Sequence, residues 1–205
     1  AVFNDIKVDA VKLGMLFSQE IIDVIADKLA EYKPNNIVLD PVMISTSGDR
    51  LISEEAIDSL ISKLIPLAKI ITPNRHEAEL LSGLTIEDEK DIHLVGNKIL
   101  ADGAKAVLIK GGHFEGTVMT DYLFIKDTVL EFSGAFVDTV NTHGTGCTLS
   151  SAIAAFLAQG LPLRVAVGNA KAYLEKGLIA GAEVKVGNGH GPLNHLHNQI
   201  NMHIL

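Results

Sequence analysis

Apolar residues recur along this chain at two spacings, and the alternation between those spacings predicts strands followed by helices. The short run Asp9-Ala-Val-Lys-Leu-Gly-Met-Leu16 is expected to be a strand, and Ser18 then stands as N-cap of a helix with Ile21, Ile22, Ile25 and Leu29 on one face. The unit repeats. Residues 37–40 form a second strand, before a helix over 53–64 that carries Ile57, Leu60, Ile61 and Leu64 on one side. Residues 69–72 form a third, followed by a short helix at 75–82 and a longer one at 87–101. The fourth strand, 106–110, is apolar until its last residue, as expected of a central strand covered on both faces.

The pattern then changes. Residues 117–124 and 128–132 flank Lys126-Asp127 and predict an antiparallel hairpin at one sheet edge. Two helices follow at 145–159, with Leu149, Ile153, Phe156 and Leu157 at helical spacing, and at 163–178. A glycine-rich loop, 187–192, precedes a polar tail with His195 and His197, and the opening residues 1–5 look like the end of a helix. This order predicts an α/β fold with a mostly parallel sheet. With no repeat or linker, residues 1–205 are expected to form one domain.

Composition narrows the function. A chain of 205 residues that is 47% hydrophobic can bury a core, which excludes disorder for most of it. A net charge of −8, with Lys and Arg unclustered, argues against nucleic acid as a partner. No apolar run approaches the roughly 18 residues of a membrane span, so no membrane partner is expected. The single cysteine excludes an internal disulfide framework, and the cytoplasm is the expected location.

The chemistry concentrates at Thr142-His-Gly-Thr-Gly-Cys147, the entrance to the helix at 145–159. The first N–H groups of a helix lack intrahelical partners and its dipole adds positive charge, so a phosphate fits there. A cysteine beside such a terminus is well placed to ionise. The same residues also fit a tight turn followed by a small buried cysteine, and both readings stay open at this point.

Ligands of an open parallel sheet bind beyond the carboxyl ends of its strands. Asp40-Pro41 follows the second strand, Thr72-Pro-Asn-Arg-His-Glu77 the third and Lys110-Gly-Gly-His113 the fourth. Two carboxylates, a lysine and an anion-binding helix entrance on one rim suit phosphoryl transfer, with Asp40 and Glu77 holding Mg²⁺ through waters. The chain has no G-x-x-x-x-G-K-[ST] loop, lacks the third glycine of a dinucleotide fingerprint and has only the start of a zinc-protease motif at His76-Glu77.

Five motifs in order, Val11-Lys-Leu-Gly-Met-Leu16, Leu39-Asp-Pro-Val-Met43 with Thr46-Ser-Gly-Asp-Arg50, Ile71-Thr-Pro-Asn74 with Glu77-Ala-Glu79, Lys110-Gly-Gly-His113 and Asn141-Thr-His-Gly-Thr-Gly-Cys-Thr-Leu149, resemble the hydroxymethylpyrimidine/phosphomethylpyrimidine kinase family of the ribokinase-like superfamily. The resemblance implies a three-layer sandwich and two transfers from ATP, first to the hydroxymethyl oxygen of the pyrimidine and then to its phosphate. It implies that Cys147 is the base, that Gly144, Thr145 and Gly146 form the anion hole, and that Asp40 and Glu77 surround Mg²⁺. It assigns Lys110, Asn74 and Lys171 to ATP and its phosphates, and Met15 and Val42 to the pyrimidine pocket.

A homodimer is likewise implied. Family members carry a further N-terminal segment, with a glycine-rich Gly-Ser-Asp stretch and a pyrimidine-binding glutamine, so the chain is expected to be N-terminally incomplete. Arg75-His76 stands where Leu-Pro is usual. The alternatives are a pyridoxal or pyridoxine kinase of the same superfamily, whose members usually have aspartate at the place of Cys147 although some carry cysteine there, and a pyrimidine-binding regulator without catalysis.

Overall fold

A computed structural model describes residues 1–44, 50–112 and 118–198. After a short helix α1 (Val2–Asp5) the chain alternates as expected: β1 (Val11–Leu13), α2 (Gln19–Tyr32), β2 (Ile37–Leu39), α3 (Glu54–Ser59), β3 (Ile70–Ile71), α4 (Arg75–Ser82), α5 (Glu89–Ala101) and β4 (Val107–Gly112). The hairpin β5 (Val118–Ile125) and β6 (Thr128–Ala135) and the helices α6 (Thr145–Ala158) and α7 (Leu163–Gly181) complete it. The strands form one sheet in the order β1-β2-β3-β4-β5-β6. β1 to β4 are parallel and β5 and β6 antiparallel.

Strand parity sorts the core into two layers. Successive side chains of a strand point to opposite faces. Ile37, Leu39, Ile71, Val107, Ile109 and Phe124 therefore pack beneath α2 to α5. Val38, Ile70, Ala106, Leu108 and Leu123 pack with Leu149, Ile153 and Val167 beneath α6 and α7. Helices on both faces of a mostly parallel sheet with an antiparallel edge hairpin make the expected three-layer, ribokinase-like sandwich.

Two details differ from the periodicity. Ile21 does not share the buried face of Ile22 and Leu29 but is 45% exposed, because successive helical residues point about 100° apart and Ile22 takes the inward position. The helix predicted over 53–64 is α-helical only to Ser59 and continues as a π-helical segment, Leu60–Leu64. Leu60 and Leu64 of this segment and Ile65 after it are all buried in the core.

On the α5 side, a close approach depends on Gly96. A Cβ there would lie 2.5 Å from two ring atoms of Phe124, a ring with no solvent exposure. Gly96→Ala is expected to lower the unfolding free energy in urea by about 1–3 kcal/mol through overpacking. Helix propensity alone would act in the opposite direction, by ~1 kcal/mol. A stabilised variant would show that the ring yields.

Candidate active site

The rim follows from the same parity. Val38, Ile70 and Leu108 face α6 and α7. Two residues on, at the carboxyl edge where such sheets bind ligands, stand Asp40, Thr72 and Lys110. Asp40 is 1% exposed. Its Oδ1 accepts from Lys110 Nζ at 3.0 Å and from Thr72 Oγ1 at 3.2 Å. Its Oδ2 accepts from Ser150 Oγ of α6 at 3.1 Å, and Lys12 Nζ stands 3.9 Å away.

Glu77 reaches this group through a capping box. Asn74 caps α4 by accepting from the Glu77 N–H at 2.9 Å, while Glu77 Oε2 accepts from the Asn74 N–H at 2.7 Å and Oε1 from the Met43 N–H at 3.4 Å. The carboxylate is thereby turned back toward the strand ends and is 2% exposed. Burial pushes its pKa above the usual carboxylate value, against the pull of Lys110 and of the Asn74 N–H.

Helix α6 enters with Gly144 at φ 83° as N-cap and without a side-chain cap. Among the described residues the Gly146 and Cys147 N–H groups have no acceptor. A Cβ on Gly146 would lie 3.4 Å from Lys110 Nζ and 4.0 Å from Asp40 Oδ2, so the missing side chain is what lets the helix entrance settle against the charged pair. Orphan N–H groups and an ammonium thus converge on one small region, the arrangement that stabilises an anion.

Two clefts flank α6. One, of ≈ 570 Å³, is lined by Asn74, Lys110, Thr145, Gly146 and Lys171. In it Lys171 donates to Asp121 Oδ2 at 2.7 Å and to the Met119 carbonyl at 3.2 Å, and the Gly111 N–H donates to Asp121 Oδ1 at 2.8 Å. The other, of ≈ 820 Å³, is lined by Gly144, Cys147, Thr148, Tyr173 and His195. Cys147 is a free, exposed thiol. The helix entrance, one motif in sequence, therefore serves two clefts.

Met15, 52% exposed, and the half-buried Val42 follow β1 and β2 and line neither cleft. Arg75 and His76 line the first one. The motif residues 46–49 and His113 lie outside the described residues. The sequence pattern does not single out Lys12, Thr72, Ser150 or Asp121 as site residues. For Lys12 and Asp121 a signal exists, a charge interrupting an apolar strand run.

No third His, Cys, Asp or Glu joins Asp40 and Glu77 as a metal cluster among the described residues. Both carboxylates already accept from protein donors. The pair fits a hydrated Mg²⁺ held through water, which that ion favours, and does not fit an all-protein cage.

A mostly parallel α/β sheet with a lysine, a buried carboxylate and an uncapped helix entrance at its carboxyl edge defines a phosphotransferase of ribokinase-like architecture. The family model for phosphomethylpyrimidine kinase matches residues 1–194. The hydroxymethylpyrimidine/phosphomethylpyrimidine kinase of Rhizobium meliloti is 46% identical, over 96% of this chain and 74% of its own length. The crystal structure of phosphomethylpyrimidine kinase from Clostridium difficile 630 superposes with a TM-score of 0.74 at 45% identity, covering 84% of this chain and 70% of that one. An ADP complex of Bacillus subtilis pyridoxal kinase gives a TM-score of 0.82 at 35% identity, over 94% and 71%. The chain belongs to the phosphomethylpyrimidine kinase family.

The environment of Glu77 generates a pH prediction. Its folded pKa lies above the ordinary value of 4.5, so the fold favours the protonated carboxyl. That stabilisation is full below the ordinary value and is lost as pH rises through the raised one. The unfolding free energy of Glu77→Gln minus that of the wild type should therefore increase between about pH 4 and pH 8 in urea melts. A difference independent of pH would show an unshifted Glu77.

Proposed function

We propose that this chain transfers the γ-phosphoryl group of ATP to the hydroxymethyl oxygen of 4-amino-5-hydroxymethyl-2-methylpyrimidine, and then a second one to the monophosphate, in thiamine biosynthesis. The observation that carries the reading is the convergence of Lys110, Asp40 and the unpartnered Gly146 and Cys147 N–H groups at the carboxyl edge, in a chain of this family.

In this reading ATP occupies the cleft that holds Lys171, with Asn74 and Lys110 at its phosphates and Gly144, Thr145 and Gly146 around the transferring group. The pyrimidine lies beyond the strand ends, between Met15 and Val42. Asp40 and Glu77 would hold Mg²⁺ through waters, and that ion would neutralise triphosphate charge. The reaction belongs in the cytoplasm, and among the described residues no helix is long and apolar enough to cross a membrane. A homodimer is part of the proposal, and light scattering measures it.

Magnitudes assign the roles. A helix terminus contributes about 0.3–1 kcal/mol toward a neighbouring anion, rising to ~2 when partly buried. Enzymes lower barriers by roughly 8 kcal/mol or more, so Lys110, the alignment of acceptor with phosphoryl group and the charge that Mg²⁺ would neutralise must supply most of it. Cys147 takes the proton from the acceptor alcohol in the first transfer. In the second, the attacking oxygen belongs to a phosphate monoester that is mostly doubly ionised at neutral pH, since its second pKa is about 6. No base is then needed.

The protein with MgATP is expected to release ADP in the presence of the hydroxymethylpyrimidine and far more slowly with pyridoxal. The reverse preference would assign it to pyridoxal kinase chemistry, and ligand binding without ADP release would make it a regulator. Cys147→Ala should lower turnover of the alcohol by about 10²–10⁴ with little change in ATP affinity, the usual scale for a lost general base. The monophosphate reaction should lose at least ~10-fold less, because its nucleophile is already ionised. Unchanged turnover of the alcohol would remove Cys147 from the reaction, and equal losses would make it a positioning residue.

A further inference from the structure

Lys12 is a half-buried cation without a hydrogen-bonding partner among the described residues. Its place is fixed by register. Lys12 pairs with Val38, whose side chain packs beneath α6 and α7, so the lysine leaves β1 on the α6 side of the sheet. Two residues on, the same face carries Gly14. A Cβ there would lie 2.7 Å from Lys12 Nζ, so the absent side chain leaves the space that the ammonium occupies at the carboxyl edge.

The two rim lysines are not equivalent. Lys110 donates to Asp40 at 3.0 Å and lines the cleft with Lys171. Lys12 stands 3.9 Å from Asp40 Oδ2, beyond hydrogen-bond reach, and does not line that cleft. Asp40 is already occupied by Lys110, Thr72 and Ser150. Two ammonium groups, with side chains 15% and 21% exposed, therefore share one aspartate. Lys110 also faces Glu77, so Lys12 is the rim ammonium with the weaker hold on a carboxylate, and it lies on the β1 side, next to the segment that carries Met15.

We propose that Lys12 binds the phosphate of the phosphorylated acceptor during the second transfer. This rests on the two-step reading above. In that step a non-bridging oxygen of the acceptor phosphate forms a bond to the γ-phosphorus, the bond from the γ-phosphorus to the β–γ bridging oxygen breaks, and ADP leaves with the electron pair. The acceptor brings a dianion that the alcohol lacks, and Lys12 supplies a positive charge to meet part of it.

The two transfers, measured separately on the intact protein with MgATP, test this. Lys12→Met is expected to lower kcat/KM for the monophosphate at least ~10-fold more than for the alcohol, chiefly through KM, the scale of one charge-assisted contact. Lys12→Arg should recover most of the difference. Equal losses in both transfers would put Lys12 on the transferring phosphoryl group and overturn the proposal, as would no loss in either. Should Lys12→Met fail to fold, acetylation of Lys12 in the wild type, followed by mass spectrometry, decides. Protection by the monophosphate but not by the alcohol or MgADP supports the site, and equal labelling overturns it. Absence of turnover with either acceptor in the wild type would defeat the two-step reading itself, and the labelling experiment would still report on Lys12.

Discussion

The carboxylate of Asp40 joins the sheet, helix α6 and the charged rim. A carboxylate removed from water costs several kcal/mol unless opposite charge and hydrogen bonds replace its hydration. Here the replacements come from β1, β4, α6 and the residue that follows β3. Each donor is held by its own element, so the burial of one acid requires the register of all of them. Ser150 matters most for the geometry of α6, because its hydroxyl lies one turn beyond Gly146 and anchors the first turn of the helix to the strand ends.

Much of the architecture was legible in the chain. Helix α4 begins and ends where the capping pair Asn74 and Glu77 and the left-handed Gly83 require. The apolar run before Lys110 marked a central strand, and it is covered on both faces. The rim assembled as expected because a parallel sheet brings every strand's carboxyl end to one edge. What the sequence could not carry was parity. β1 and β3 have three and two residues, too short for a period to declare which face is which. Lys12 and Thr72 acquire their places only once the strands pair, and Asp121 only when α7 brings Lys171 against it.

The helix entrance shows the same limit at finer scale. Successive residues of an α-helix point about 100° apart, so neighbours in sequence need not face one ligand. Gly146 lies against Lys110, while Cys147 looks into the cleft on the opposite flank. Two residues adjacent in one sequence motif therefore face different clefts of one helix end.

The segment before that entrance is tied to the far end of the fold. Asn141, 4% exposed, donates from Nδ2 to the carbonyls of Gly181 and Val184, each at 2.7 Å. The His143 N–H donates to the carbonyl of Gly191. Every one of these acceptors lies at or beyond the last residue of α7. During synthesis the sheet and the buried aspartate can therefore assemble before the loop at 141–144 has anything to grip. The turn that opens α6 takes its final shape only once the stretch through Gly191 has left the ribosome, so the entrance of this helix waits on residues forty or more positions further along the chain.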